Sequence, residues 1–533
     1  MDVLPETSAE RRNAWVSFAL LGAVQLLLNA SVSVTFAAGP AMQRELGLSR
    51  IDLILASAAY GISFSGLLLL GGRLTDRVGR RRLFSRGTAL FAAASLAAAL
   101  APVPHAVLAA RFLQGCGAAL AAPAAMSLLR AAFPEGRARA VALARWGPLA
   151  SLGAAAGIVL SGALSTWVNW RWSFGALAAV AVAVLALTRR APLPAGPPPV
   201  RVPVDLVGAV LGTLALSTLG YGFVMVGPHG WTAASVLGPL ALGAVLLAAF
   251  AAAQRRVAAP LLPPGFLASR YRAAALVCAL LGPAIGAGTA FLLGLWFQQV
   301  RGWSALGFAL AFVPYSAVLL GVGFVAGRIV ARHGVRAVAV GGLAVVAAGL
   351  FLIGAVGLRT GSAVPVLTGL VVLSAGIGTL MSAAVVGAAA GVPEGQAALA
   401  GAVVNTAILA GPPVSLALIS SAADARTAAL LAAGDPHAAT AGYAFAFEAA
   451  CAVYVLAIAL AAYGLSPHRR TRTAGPAVAY RAGPVAGPVA GPVAGVGAGP
   501  TAGPVAGPTA GPTAGPVAER YDPRATARPS GPP

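Results

Sequence analysis

The chain has 533 residues, a net charge of +22 and a mean hydropathy of +0.85; 59% of its residues are hydrophobic and 9% charged. Soluble domains carry about 25% charged residues, so a soluble globular protein is excluded, and no alternating segments of about 10 residues point to an outer-membrane barrel. Every cationic side chain apart from histidine is arginine, and the arginines fall between hydrophobic blocks. That is the pattern of charges that orient a membrane protein, not of a nucleic-acid surface.

Crossing the hydrocarbon core as a helix takes roughly 20 apolar residues, and the backbone there has no water to bond, so each such block is expected to be helical. About fourteen blocks qualify: 14–38, 51–71, 83–102, 106–130, 140–164, 172–188, 204–226, 232–253, 273–298, 304–327, 337–357, 363–390, 397–421 and 441–464. Residues 1–13 mix acids with arginines and lack a cleavage signal, so the first block is expected to be a retained span. Arginine-rich loops alternate with arginine-poor ones, which puts the N-terminus, the arginine-rich loops and the C-terminus on the cytoplasmic side.

The second span ends in Gly71-Gly72-Arg73-Leu74-Thr75-Asp76-Arg77-Val78-Gly79-Arg80-Arg81-Arg82. Here Gly72 and Gly79 are expected to allow close approach and positive φ. Asp76 can pair with the neighbouring arginines or face a helix N-terminus. The spacing closely resembles the loop signature of the major facilitator superfamily. That resemblance implies a gate in which Asp76 and Arg77, with Gly72, Gly79 and Arg80 around them, make contacts that hold one conformation and release in the other. A degraded copy runs from Gly327 to Arg336 after the tenth span, with Ala331 at the Asp position. Such a copy is what an internally repeated transporter would carry.

The expected fold is therefore all-α and integral to the membrane: two six-helix bundles, 14–188 and 273–464, with two central spans at 204–253. The linkers are 189–203 and 254–272, and 465–533 forms a cytoplasmic tail of Ala-Gly-Pro repeats too rich in Pro and Gly to hold helix or sheet.

Further segments resemble the fourteen-helix drug:proton antiporter branch. The fourth span contains Arg111-Phe112-Leu113-Gln114-Gly115; a charge inside a span usually faces a cavity or a partner, and the resemblance implies that Arg111 assists proton transfer. The fifth span carries Gly153, Gly157 and Gly162, a spacing at which helices approach closely, but Ile158 stands where that branch has proline. Phe133-Pro134-Glu135-Gly136-Arg137, Trp170-Arg171-Trp172 and Gln298-Gln299-Val300-Arg301-Gly302 also resemble the branch. The first span departs from it, since Ser31 occupies the usual acidic position and the thirteenth holds Asn405-Thr406 without an acid. Proton coupling then points to Arg111 and to Glu448, the one acid that looks embedded; Asp52 and Asp205 sit near span ends as helix caps.

A substrate cavity between the bundles is expected to be lined by Gln25, Asn29, Ser31, Tyr60, Trp146 and Trp296, with Phe291 and Tyr315 as further aromatic candidates. Few embedded acids favour neutral or monocationic amphipathic compounds over dications. The resemblance implies proton-coupled efflux from the bacterial inner membrane by a monomer, with protons and a small molecule as partners, the proton gradient as energy source, and no nucleic acid or cofactor. An importer of the same fold and a non-transporting sensor remain alternatives. A membrane enzyme is disfavoured, because neither clustered acids nor a nucleotide-binding loop is present. Cys116, Cys278 and Cys451 all fall inside spans, with no disulfide or metal spacing.

Overall fold

The computed structural model describes residues 8–466 apart from 134–136, 192, 195–204, 258–259, 263–265, 267–268, 391 and 393–396. The repeat tail, the turn after Phe133 and most of the first linker lie outside the described residues.

The described chain is helical throughout: α1 (Ser8–Leu46), α2 (Arg50–Val78), α3 (Arg80–Ala99), α4 (Pro104–Ala132), α5 (Arg137–Trp167), α6 (Arg171–Arg190), α7 (Leu206–His229), α8 (Ala234–Gln254), α9 (Arg270–Leu295), α10 (Ala305–Ala311), α11 (Val313–Phe351), α12 (Ala363–Ala389), α13 (Ala397–Ala432) and α14 (Ala438–Gly464). Short π-helical turns at Trp296–Val300 and Leu352–Leu358 extend α9 and α11.

Among the described residues, twelve helical stretches are long and apolar enough to cross a membrane. One of them, Ala305–Leu358, has 54 residues. At ~1.5 Å per residue a straight helix of that length would far exceed a hydrocarbon core of about 30 Å. It breaks at Gly334, whose φ is 81°, and so comprises two crossings, 305–333 and 335–358. The helix missing from the twelve is α3, whose first turns carry Arg80, Arg81, Arg82 and Arg86. It has 20 residues, with Phe84 and Phe91 buried. The twelve candidate spans are broadly consistent with the fourteen blocks of the sequence.

Local chemistry sets the ends. Ser49 and Asp52 form a capping box at α2, each backbone N–H bonding the other's side chain at 3.0–3.1 Å. Gly79, with φ 94°, ends α2 and starts α3, and Gly334 occupies the matching place in the degraded copy. Asp205 caps α7 by accepting from the Gly208 N–H at 2.7 Å. Gln254 at the end of α8 donates to the same carboxylate at 2.5 Å, which ties the central pair together at the arginine-rich end.

The packing repeats between the halves. α1 lies along α5 as α9 lies along α13, and α3 packs on α4 and α6 as α11 packs on α12 and α14. Across the middle, α2 meets α13 and α5 meets α10, while α7 packs against both α2 and α13.

Candidate functional site

Two polar centres stand out in this apolar interior. The first is Arg111, fully buried on α4. Its Nη1 donates to the Ser31 Oγ at 2.8 Å, the Ser31 carbonyl at 3.0 Å and Gln114 Oε1 at 3.0 Å, and its Nε to the Ala56 carbonyl at 3.2 Å. Gln114 in turn donates to Ser95 Oγ at 2.7 Å. The Tyr60 ring centroid lies 4.7 Å from the guanidinium, and the Tyr60 hydroxyl donates to the Leu28 carbonyl at 2.8 Å. A buried charge wants an opposite charge; here hydroxyl, amide and carbonyl oxygens and an aromatic face stand in for one, and Nη2 is left without a partner.

The second centre bridges the halves. Arg50 Nη1, at the start of α2, donates to Asp424 Oδ1 on α13 at 2.7 Å, and the Arg50 guanidinium lies 5.3 Å from the Tyr443 ring centroid on α14. Nearby, Gln299 donates to Gln43 at 2.9 Å and the Leu306 N–H to Thr166 Oγ1 at 3.0 Å. All of these belong to the arginine-poor end. Among the described residues no hydrogen bond or ion pair joins the two bundles at the arginine-rich end. The described bonds that join the two bundles thus lie at the arginine-poor end.

Several expected site residues are placed differently. Ser31, Tyr60, Trp146 and Trp296 are buried in packing. Ser31 and Tyr60 belong to the Arg111 centre, Trp146 packs on Phe18 and Trp296 on Phe297. None of the four lines the apolar cavity between α2, α4, α7 and α8. Phe291 is buried as well. Gln25 and Asn29 are half-buried, and Asn29 bonds back to the Gln25 carbonyl of its own helix at 2.8 Å.

In the gate loop, close approach belongs to Gly71, not Gly72: a Cβ on Gly71 would meet the Ala119 carbonyl at 2.0 Å, while Gly72 faces open space. Asp76 and Arg77 are exposed, and neither is paired among the described residues. Two neighbouring arginines reach further: Arg81 Nη2 donates to the Thr188 carbonyl at the end of α6 at 2.8 Å, and Arg73 Nη2 to the Pro260 carbonyl at 3.4 Å.

Glu448 forms a two-pronged pair with Arg359, at 2.5 and 2.7 Å. Both residues lie in the C-terminal half and the Arg359 side chain is 59% exposed, so this is a surface latch between α14 and the end of the π-helical turn that extends α11. The carboxylate holds Arg359 above its ordinary pKa. Gly153 and Gly157 seat α5 on α1, where their Cβ positions lie 2.4 Å from the Leu26 and Ala30 carbonyls. Gly162 seats α5 on α10, 2.7 Å from the Ala305 carbonyl.

The sequence reading missed Asp424, having ended the thirteenth span at 421. The signal was available: residues 414–433 contain neither Gly nor Pro, so nothing stops the helix there. It also missed Glu45, which accepts from Arg171 at 2.9 Å and from Trp170 Nε1 at 2.7 Å and so ties α1 to α6. An apolar cavity of about 930 Å³ opens between α2, α4, α7 and α8, lined by Leu55, Ile62, Phe112, Tyr221 and Leu242 among others. No group of three or more His, Cys, Asp or Glu able to hold a metal occurs among the described residues.

Comparison with known proteins agrees with this geometry. The pattern described as Major Facilitator Superfamily matches residues 21–416. The chain is 35% identical to a puromycin resistance protein of Streptomyces alboniger over 84% of its own length and 90% of that protein. It is 37% identical to a cephamycin export protein of Amycolatopsis lactamdurans over 59% of its length and 65% of the relative. A solved peptide transporter of the POT family superposes with a TM-score of 0.61 at 18% identity, covering 84% of this chain and 94% of that one.

Proposed function

The chain belongs to the major facilitator superfamily, and on that premise we propose that it is a drug exporter that moves antibiotics or related small amphipathic molecules out of the cell in exchange for protons. It is a multi-pass membrane transporter and not an enzyme. The observation that carries the direction and substrate class is the match, over most of both chains, to a protein named for puromycin resistance. A second relative is named for cephamycin export. In this reading the membrane is a bacterial inner membrane and the arginine-rich loops face the cytoplasm, an orientation that the positive-inside rule supports. The conformation is then inward-facing, a reading supported by the bundle-to-bundle bonds at the arginine-poor, outer end.

The interior chemistry supports the substrate class. Among the described residues Glu45, Asp205, Asp424 and Glu448 each have a partner, and the unpaired Asp76 is exposed at the end of α2. A dication would want a paired interior charge, so neutral or singly charged compounds fit better. In this reading Asp76 and Arg77 stand open because the inner gate is open, and they engage the neighbouring helices when the inner end closes. Gln25 and Asn29, half-buried on α1, are the candidates left for substrate contact. Energy comes from the proton gradient, without a cofactor.

The test is dye or antibiotic extrusion from proteoliposomes with simultaneous recording of internal pH. Extrusion accompanied by proton uptake in the opposite direction, and lost in Asp76→Asn, is the expected result. Extrusion without proton movement would replace proton coupling by another ion or by facilitated diffusion.

A further inference from the structure

A transporter that alternates must break whatever holds its closed end shut. Hydrogen bonds between neutral groups, such as Gln299 to Gln43, do not respond to protons, whereas an ion pair does. Among the described residues the Arg50–Asp424 pair is the one ion pair that joins the two bundles. The other described pairs close within a single half: Arg171 with Glu45 in the first, Arg359 with Glu448 in the second.

The surroundings make the pair sensitive to its own charge. The two side chains are 26% and 29% exposed, and Arg50 Nε and Nη2 are buried with no hydrogen-bond partner. Its guanidinium therefore depends on Asp424 and on the Tyr443 ring. Removing one partner of such a pair leaves the other as an uncompensated charge, a strongly unfavourable state.

The groups that face Asp424 can be enumerated. Arg50 comes from α2 and Tyr443 from α14. On α7, joined to α13 by the Ser421 hydroxyl's bond to the Phe223 carbonyl, the titratable side chain at that end is His229, set beside the Met225 carbonyl of its own helix. Arg426, on α13 itself, stacks on Phe445. α12 carries no ionisable residue, and the arginines of α9, Arg270 and Arg272, begin it at the opposite end.

We propose that Arg50 and Asp424 form the outer gate of this transporter, and that a proton taken up by Asp424 opens it. The step adds one O–H bond to the carboxylate and abolishes the ion pair. Arg50, stripped of its counter-charge, is then better accommodated where it reaches water, which is the arrangement with the outer end apart. Deprotonation restores the pair and recloses the end. The gate is therefore shut at high external pH and opens as the pH falls. The assignment rests on the proton-coupled reading above, and it gives the cycle an acid that Ser31 does not supply.

The experiment uses the full chain, spin-labelled at two exposed positions of the outer end, Leu100→Cys and Val364→Cys, in a background free of other cysteines and reconstituted in lipid. Distance distributions are recorded across the carboxylate titration range. The expected result is a wide-distance population that grows on acidification in the parent, stands wide at every pH in Asp424→Asn, and regains its pH response in Asp424→Glu. Proton-driven dye transport in Asp424→Asn should fall by about tenfold or more. The swap of Arg50→Asp with Asp424→Arg should restore the narrow population at high pH, a result that a folding defect at either site would not give. A parent distance insensitive to pH, or an Asp424→Asn variant that follows the parent, overturns the proposal. A pH-sensitive gate that tracks Asp424 in a protein whose dye transport moves no protons would instead keep the gate and refute the proton-coupled exporter.

Discussion

Ser31 determines how the buried guanidinium of Arg111 is met. Its hydroxyl and carbonyl supply two of the four oxygen contacts to that charge, and hydrogen bonds to charged groups contribute about 1.5–3 kcal/mol. Ser31→Ala should therefore lower stability by about that amount, read as a fall in the thermal midpoint of the purified protein. Ser31→Asp, which sets a carboxylate against a cation that has none, should be destabilising to a smaller degree or not at all. Arg111→Lys should behave like a loss of the group, since one ammonium cannot reproduce the planar fork that meets Ala56, Ser31 and Gln114 together. Arg111 stood out because a charge in an apolar block must either snorkel to the interface or find partners inside; its burial among oxygen acceptors was not legible. Nor was the facing of Ser31, Tyr60, Trp146 and Trp296. When lipid and protein interior are equally apolar, hydrophobicity does not mark which side of a helix turns inward. Glu448 looked embedded for a related reason: its partner Arg359 lies beyond the expected end of the eleventh span, so the pair could not be seen from either residue alone.

At the scale of the helix, glycine spacing was informative and helix length was not. Gly153 and Gly157 let the backbone of α5 touch that of α1. A methyl group at Gly157 would sit 2.4 Å from the Ala30 carbonyl, whereas Gly238 on α8 has nothing within 4 Å. Gly157→Ala should therefore be destabilising by about 1–3 kcal/mol, as overpacking usually is, and Gly238→Ala neutral or slightly favourable; thermal unfolding of the two variants side by side checks this. Span ends were harder to read, because a membrane helix continues past the point where hydropathy falls. α3 begins at Arg80 among its arginines, and α13 runs on to Ala432. The second extension carries Asp424 into the interface between the halves. In the gate loop, Gly79 was expected to turn the chain and does so with φ 94°. The neighbouring pair Gly71-Gly72 could not be resolved by spacing, since either residue could have faced α4.

For the molecule as a whole, the internal repeat was visible in the sequence from the gate loop and its degraded copy, and in the structure it reappears as matched packing of α1 on α5 and α9 on α13. What no sequence pattern announced was the position of α7, packed against both α2 and α13. The remaining consequence concerns how the chain is made. Arg111 sits about two turns into the fourth helix, and an arginine within a span opposes insertion into the bilayer, by up to about 2.5–3.5 kcal/mol at the centre. Its oxygen partners outside α4, on Ser31 and Ala56, sit on α1 and α2, which leave the ribosome first. The acceptors are thus already in the membrane when the charge arrives, and synthesis order itself helps α4 to insert. A nascent chain lacking the first two helices should integrate α4 poorly in a glycosylation-mapping assay, and Arg111→Leu should restore integration in that truncated chain while changing little in the intact one.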